Sequence, residues 1–327
     1  MRGVARLRRR LGREQIQPPV DLGPERRSEA TRLSGVVLTE PADDAKGVFL
    51  VNGTHLRFFV PIAGDLRRDY VTVLTHWWAM SKVRLREYRR HAPLFDCVVS
   101  PSAGYDTLFD FAPTFRAHTA DLVVDDELWP LLDLPRDIDV VESVSIPWAT
   151  KRPLAWLDGA RRLLDTRPDG RAVYMAKREP GAKESERDRL EWRQFRTLAE
   201  ADGRITVLVG ATQEDVAGLY NRARFLYHPS DREFGPRCVL EALYCGAVVL
   251  VDDYPWRETA TTREELRRRV VVAEGLREVP AHDVVDVREW QTARGVRTAL
   301  VELLAESHRV NRDVAAFAMF SNVRVGG

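Results

Sequence analysis

Several scarcities bound what this chain of 327 residues can be. No stretch approaches the roughly 18 consecutive apolar residues that a membrane-spanning helix needs. The first residues also lack the apolar core of a signal peptide, so a cytoplasmic protein is expected. Cysteine is rare: Cys97, Cys238 and Cys245 are an odd number, at spacings that fit no zinc site, and are expected to be reduced thiols in apolar surroundings. Net charge is almost absent, with Lys+Arg 50 against Asp+Glu 49, which gives no global case for nucleic-acid binding. Lysine itself is scarce. Only Lys46, Lys82, Lys151, Lys177 and Lys183 occur, so the basic side chains are nearly all arginine, as in a protein from a GC-rich genome, and each lysine carries more information than any one arginine.

The composition that remains, 44% hydrophobic and 30% charged, is that of a globular protein long enough for two domains. Residues 1–34 hold nine basic side chains and Pro18-Pro19. They read as a mobile Arg-rich extension, with peripheral contact of a basic amphipathic helix over residues 1–13 with anionic lipid as the alternative.

From Val36 the pattern becomes short apolar runs: Val36–Leu38, Val48–Val51, Val71–Leu74, Cys97–Val99 and Leu122–Val124. Strand-length runs separated by polar or helical stretches indicate an α/β domain, assigned to 35–137. A second series opens at Ile138–Ile146 and alternates helix and strand: Pro153–Leu164, Ala172–Met175, Glu184–Glu200, Ile205–Val209 and Gln213–Asn221. This gives a second domain at 138–285. The remainder, 286–327, is helical in composition over Asp286–Ser307, with Trp290, Val296, Leu300 and Leu303-Leu304 as an apolar stripe.

The most informative stretch is Ser230-Asp-Arg-Glu-Phe-Gly-Pro-Arg-Cys-Val-Leu-Glu-Ala-Leu-Tyr-Cys-Gly246. Phe225–His228 suits a buried strand, Pro236 a first helical turn, Arg237–Tyr244 a helix, Gly246 its stop and Ala247–Val251 another buried strand. Open parallel sheets bind ligands at the carboxyl ends of such strands. Glu233 falls in the loop and Glu241 two turns along the helix, so both can face one crevice. A carboxylate accepts two hydroxyl hydrogen bonds in a fork, which suits vicinal diols. The N–H groups of Arg237 and Cys238 at the helix start suit anionic or hydroxyl-rich atoms. Together these features describe a nucleotide-sugar site.

The stretch resembles the donor-binding segment of GT-B-fold retaining glycosyltransferases of the family 4 type. Pro229-Ser230, Glu233, Glu241-Ala242 and Cys245-Gly246 match its pattern in register. The usual Gly-Phe-Gly is here Phe234-Gly235-Pro236, and the proline after the Cys-Gly pair is replaced by Ala247-Val248. The resemblance implies an α/β, GT-B-like fold: two Rossmann-like domains with a cleft between them, the N-terminal one reduced, and last helices that return to the N-terminal domain.

It also implies roles. Glu241 would contact the donor ribose, Glu233 the hydroxyls of the transferred sugar, and Lys151, after the first strand of the donor domain, the diphosphate. The family arginine before that lysine is replaced by Ile146-Pro147, with Arg152 or Arg237 as substitutes. Gly235 belongs to the rearranged phosphate loop, and loops near Gly210 and Ala176 would read the base. Lys177, Arg178 and Lys183 form a further basic group, with a solvated turn as the other reading. His76, in Thr75-His-Trp-Trp78, either assists the acceptor or holds the sugar, or packs at a strand edge. Asp125-Asp-Glu127 would be a metal-binding motif in a GT-A enzyme, but its place before Leu128-Trp-Pro130 reads as an interdomain linker, and no metal or other cofactor is expected. The implied activity is metal-independent transfer of a sugar from a nucleotide-sugar to an acceptor hydroxyl, with retention. The acceptor, whether natural product, polysaccharide or lipid-linked, stays open. A nucleotide-sugar epimerase on the related fold and a non-catalytic nucleotide-sugar-binding subunit are the alternatives.

Overall fold

The structure, a computed structural model, describes residues 35–53, 56–60, 63–75, 82–100, 113–117, 122, 124, 129–231, 236–254, 270–277 and 293–314. The chain divides into two compact units, Met1–Val123 with Ala293–Gly327, and Val124–Thr292.

The first unit contains β1 (Gly35–Thr39), β2 (Gly47–Asn52), α1 (Leu56–Phe59), α2 (Ala63–Asp69), β3 (Tyr70–Thr75), α3 (Lys82–His91), β4 (Cys97–Ser100) and β5 (Thr114–Arg116). Its sheet runs β1-β2-β3-β4-β5. β1 is antiparallel to β2 and every later neighbour is parallel. The four apolar runs from Val36 to Val99 become β1–β4, because both faces of this sheet are covered and each strand is buried along its length. The fifth run does not. The strand beside β4 is Thr114–Arg116, and Leu122, expected within a strand, is a buried side chain whose carbonyl accepts the Arg297 Nε–H at 2.8 Å. Arg297 belongs to the helix Ala293–Ala305, the described part of the stretch expected to be helical over 286–307. Leu300, Val301 and Leu304 of that helix share one core with Val36, Leu38, Val71, Val73 and Val99.

The second unit contains β6 (Ile138–Val144), α4 (Pro153–Asp165), β7 (Ala172–Ala176), α5 (Glu186–Glu200), β8 (Ile205–Val209), α6 (Gln213–Arg222), β9 (Ala223–His228), α7 (Arg237–Tyr244), β10 (Val248–Val251) and β11 (Val270–Val272). Its strands are all parallel, in the order β8-β7-β6-β9-β10-β11. The chain builds outward in one direction through β7 and β8, then returns to β9 and builds the other way. Right-handed crossovers in such a sheet place α4 and α5 on one face and α6 and α7 on the other. Trp156 of α4 and Trp192 and Phe195 of α5 form a core with Val140, Tyr174, Phe225 and Tyr227. Tyr174 and Phe195 lie 4.6 Å apart between ring centroids. α5 and α6 each open on a capping box, Ser185 with Asp188 and Thr212 with Asp215, which fixes where both helices begin.

The division between units falls at Val123–Val124, ahead of the boundary at 137–138 read from the sequence, and the reason is visible. Asn221, fully buried, accepts the Leu132 N–H at 2.7 Å and donates to the Pro130 carbonyl at 2.9 Å. Arg136 donates to the carbonyls of Tyr220 and Ala223, both at 2.8 Å, and of Cys245 at 2.6 Å. Residues 129–137 are thereby bound to the second sheet and its helices.

Candidate functional site

In an open parallel sheet the crevice for ligands lies outside the carboxyl ends of the strands where the winding reverses, here β6 and β9. Three segments meet there. After β6 the chain runs to a single 3-10 turn, Ala149–Lys151, that leads through Arg152 into α4. β9 is followed by Pro229 and the fully buried Ser230, and Pro236 then precedes α7. The first two segments are tied across the reversal: Ser230 Oγ donates to the Thr150 carbonyl at 3.1 Å. The turn is tied backward as well, through the Ala149 N–H, which donates to Asp188 Oδ1 at 2.7 Å. The Asp188 carboxyl stays below its usual range: burial pushes it up, and the bonds from Ser185 and Ala149 outweigh that.

Arg152, placed by the sequence among the diphosphate contacts, has a left-handed backbone with φ 51° and ψ 54°, immediately before Pro153. For a residue with a Cβ that conformation costs about 1–2 kcal/mol. Its guanidinium is directed to Asp252, 3.0 Å from Oδ2, and lies 5.6 Å from the centroid of the Tyr254 ring. Asp252, 6% exposed at the carboxyl end of β10, also accepts from Tyr227 Oη at 2.9 Å and from the Gly275 N–H at 3.0 Å.

Lys151, half-buried on the turn, lies within electrostatic reach of Cys238 and Glu142. Burial pushes its ammonium below the usual lysine range, and those two neighbours pull it partly back. Glu142 and His228 were not singled out in the sequence. Both are 0% exposed, and His228 Nδ1 lies 2.8 Å from Glu142 Oε2. The other oxygen of Glu142 accepts the Ser143 N–H at 2.7 Å, and Cys238 Sγ lies 3.8 Å from His228 Nδ1. The sequence did carry a signal for Glu142, an acid inside the apolar run Ile138–Ile146. Among the described residues these three are the group whose donor atoms all lie within 4.8 Å of one another, a spacing compatible with a metal ion.

On α7, Glu241 is 8% exposed and sits one turn behind Arg237, whose Nε is 4.0 Å from Glu241 Oε1. Burial pushes the Glu241 carboxyl up, against the pull of Arg237. Pro236 gives the helix no side-chain cap, as a prolyl residue cannot. The helix ends at Gly246, φ +78°, whose N–H donates to the Leu243 carbonyl at 2.9 Å. The positive φ favours glycine, and a Cβ there would stand 2.6 Å from Arg136 Nη2 and 2.8 Å from Leu131 Cδ1, so both side-chain ends would have to give way.

The structure thus brings Lys151, Cys238, Arg237 and Glu241 to the reversal of one sheet. Gly210, φ +81°, lies past the end of the edge strand β8, its N–H donating to the Ala176 carbonyl at 2.9 Å. Lys177, Arg178 and Lys183 are exposed, and Arg178 is bonded to Glu184 at 2.6 Å. Glu233, Gly235, His76 and Asp125–Glu127 lie outside the described residues, as does the basic extension 1–34. The three cysteines are free thiols, and burial pushes Cys97 up to about 12 and Cys238 well above the usual range. No helix among the described residues is long and apolar enough to cross a membrane.

No protein-family model matches the chain, and no curated protein matches it in sequence. Solved structures do resemble it. HepE of Anabaena in complex with UDP-glucose is 19% identical over 63% of this chain and 60% of its own, with a TM-score of 0.45. Sucrose-phosphate synthase of Thermosynechococcus elongatus is 16% identical over 79% and 64%, with a TM-score of 0.47. A UDP-forming α,α-trehalose-phosphate synthase of Burkholderia xenovorans in complex with glucose-6-phosphate is 12% identical over 76% and 64%, with a TM-score of 0.49. The chain therefore spans less than two thirds of each of these structures.

Proposed function

We propose that the second unit seats a nucleoside diphosphate sugar at the carboxyl ends of β6 and β9, and that the protein transfers the sugar to an acceptor hydroxyl with retention of configuration, as a GT-B-type glycosyltransferase. The observation that carries this reading is the convergence of Lys151, half-buried on its turn, with the start of α7 and the buried Glu241 at the reversal point of the sheet.

Each group has a task in that chemistry. A departing nucleoside diphosphate gains negative charge in the transition state, and a fixed lysine with backbone donors at a helix start stabilises it without reorganisation. Lys151 and the first turn of α7, with Arg237, take this role, so the diphosphate needs no added divalent ion. Glu241, carrying a carboxyl in surroundings that disfavour its charge, gains hydroxyl partners when a ribose arrives. Glu233 is assigned to the transferred sugar. The acceptor hydroxyl attacks from the face the diphosphate leaves, through an ion-pair-like transition state, and no protein nucleophile takes part. The acceptor is a natural product, a polysaccharide or a lipid-linked sugar.

The test is a thermal-shift and calorimetric panel of UDP, GDP, dTDP, ADP and their sugars without added metal, on the wild type and on Glu241→Ala. Selective binding of one nucleotide, lost in the variant, supports the reading. Binding that appears only with Mn²⁺ and survives the substitution overturns it. Donor consumed with inversion at a ring carbon and no acceptor product would identify an epimerase instead.

A further inference from the structure

We infer that Asp252 is a positioning residue for Lys151: by holding the Arg152 side chain it fixes the left-handed backbone at Arg152, and so sets where the preceding lysine meets a donor diphosphate. The inference deepens the donor-site reading above and rests on it.

Two conditions oppose the observed backbone at Arg152. Its Cβ disfavours φ 51° and ψ 54°, and the ring of Pro153 pushes the residue before it toward extended backbone. Such a conformation persists only where the surroundings over-determine it. The main chain supplies part of the restraint: the Arg152 N–H donates to the Ala149 carbonyl and its own carbonyl accepts from Trp156 N–H, both at 3.0 Å. The side chain supplies the rest, through Asp252 Oδ2 at 3.0 Å and the Pro229 carbonyl at 3.4 Å. It spans from the loop after β6 to the end of β10.

The anchor itself is rigid. Asp252 is buried and accepts from Tyr227 Oη, Gly275 N–H, Tyr254 Oη and Arg152, groups from four separate parts of the chain. A guanidinium held this way is fixed in place through Nη1. Its contribution is conformational. Were Arg152 to relax to extended backbone, the 3-10 turn that carries Lys151 would be redirected away from Cys238 and Glu142.

Glycine separates the two roles, because it adopts positive φ without a steric cost. The experiment is calorimetric titration of UDP, GDP, dTDP and ADP into the wild type, Lys151→Met, Arg152→Ala, Arg152→Gly and Asp252→Asn. Releasing one left-handed residue corresponds to about tenfold in affinity. The tightest diphosphate is expected to weaken about tenfold in Arg152→Ala and Asp252→Asn, and to stay within about threefold of the wild type in Arg152→Gly. Adding Asp252→Asn to Arg152→Gly should cost nothing further. An Arg152→Gly variant as weak as Arg152→Ala overturns the inference, as does wild-type affinity in Asp252→Asn. Should Asp252→Asn not fold, the alanine and glycine pair decides alone. If no diphosphate binds the wild type, or if Lys151→Met binds as well as the wild type, the donor-site reading falls and the inference with it.

Discussion

His228 Nδ1 lies 2.8 Å from Glu142 Oε2, joining β9 to β6 at the one boundary in the sheet where the order of winding reverses. Both side chains are fully buried, so each is the other's replacement for water. Removing one partner of a buried hydrogen bond costs about 1–3 kcal/mol, because the remaining polar atom loses its bond where water cannot replace it. His228→Leu and Glu142→Leu are each expected to lose stability on that scale. The double substitution should recover a large part of it, and a double-mutant cycle in urea measures the coupling. Simple additivity would show that the contact contributes nothing.

Glu241 sets stability against binding. Its folded-state pKa is raised by burial, so folding favours the protonated acid, and the ionised side chain costs stability once the pH exceeds the unfolded value of 4.5. Glu241→Gln removes that cost. Near neutral pH its Tm should rise by about 2–4 °C, for a gain of roughly 1 kcal/mol, and the gain should shrink as the pH falls toward that unfolded value. The same variant should lose at least about tenfold in nucleotide affinity if one ribose contact of charge-assisted strength is removed. Melting curves across pH and calorimetry on the same samples check both halves.

Lys151 predicts a proton linkage. Burial lowers its pKa and a bound diphosphate would raise it again, so binding should take up protons wherever the free lysine is partly neutral. Affinity is then expected to fall as the pH rises. Titrations in buffers of different ionisation enthalpy measure the uptake, and Lys151→Met should abolish it while weakening binding.

Gly246 is a purely structural test of the α7 end. Gly246→Ala forces a left-handed alanine and a contact with the Arg136 guanidinium, which donates to the Cys245 carbonyl at 2.6 Å. The backbone term alone is about 1–2 kcal/mol, and disturbing Arg136 adds to it. The urea midpoint should fall with an unchanged slope.

The second unit was legible where strand runs and helix ends carry their own punctuation. Ile205–Val209 and Arg237–Tyr244 have the bounds read from the sequence, the strand because its apolar run closes at Gly210 and the helix because Pro236 and Gly246 mark its start and stop. The short strands were not. β5 and β11 are three residues each, and Thr114–Arg116 has no apolar run to mark it. Glu142 and His228 stand 86 positions apart, and neither local pattern nor spacing announces a partner that only the sheet order supplies. The left-handed Arg152 was equally hidden, since nothing in Lys-Arg-Pro announces positive φ.

The core of the first unit is completed by Leu300, Val301 and Leu304, and its edges by Val310 and Asn311, which meet Lys46. All of Val124–Thr292 lies between these residues and the strands they cover. During synthesis the part of the protein made first is therefore the part finished last. The sheet of the second unit has all its strands before the ribosome has made the helix Ala293–Ala305, and β1–β5 must wait through the whole of it with an uncovered apolar face. A chain ending at Thr292 and released from the ribosome should carry a protease-resistant second unit beside a sensitive N-terminal half.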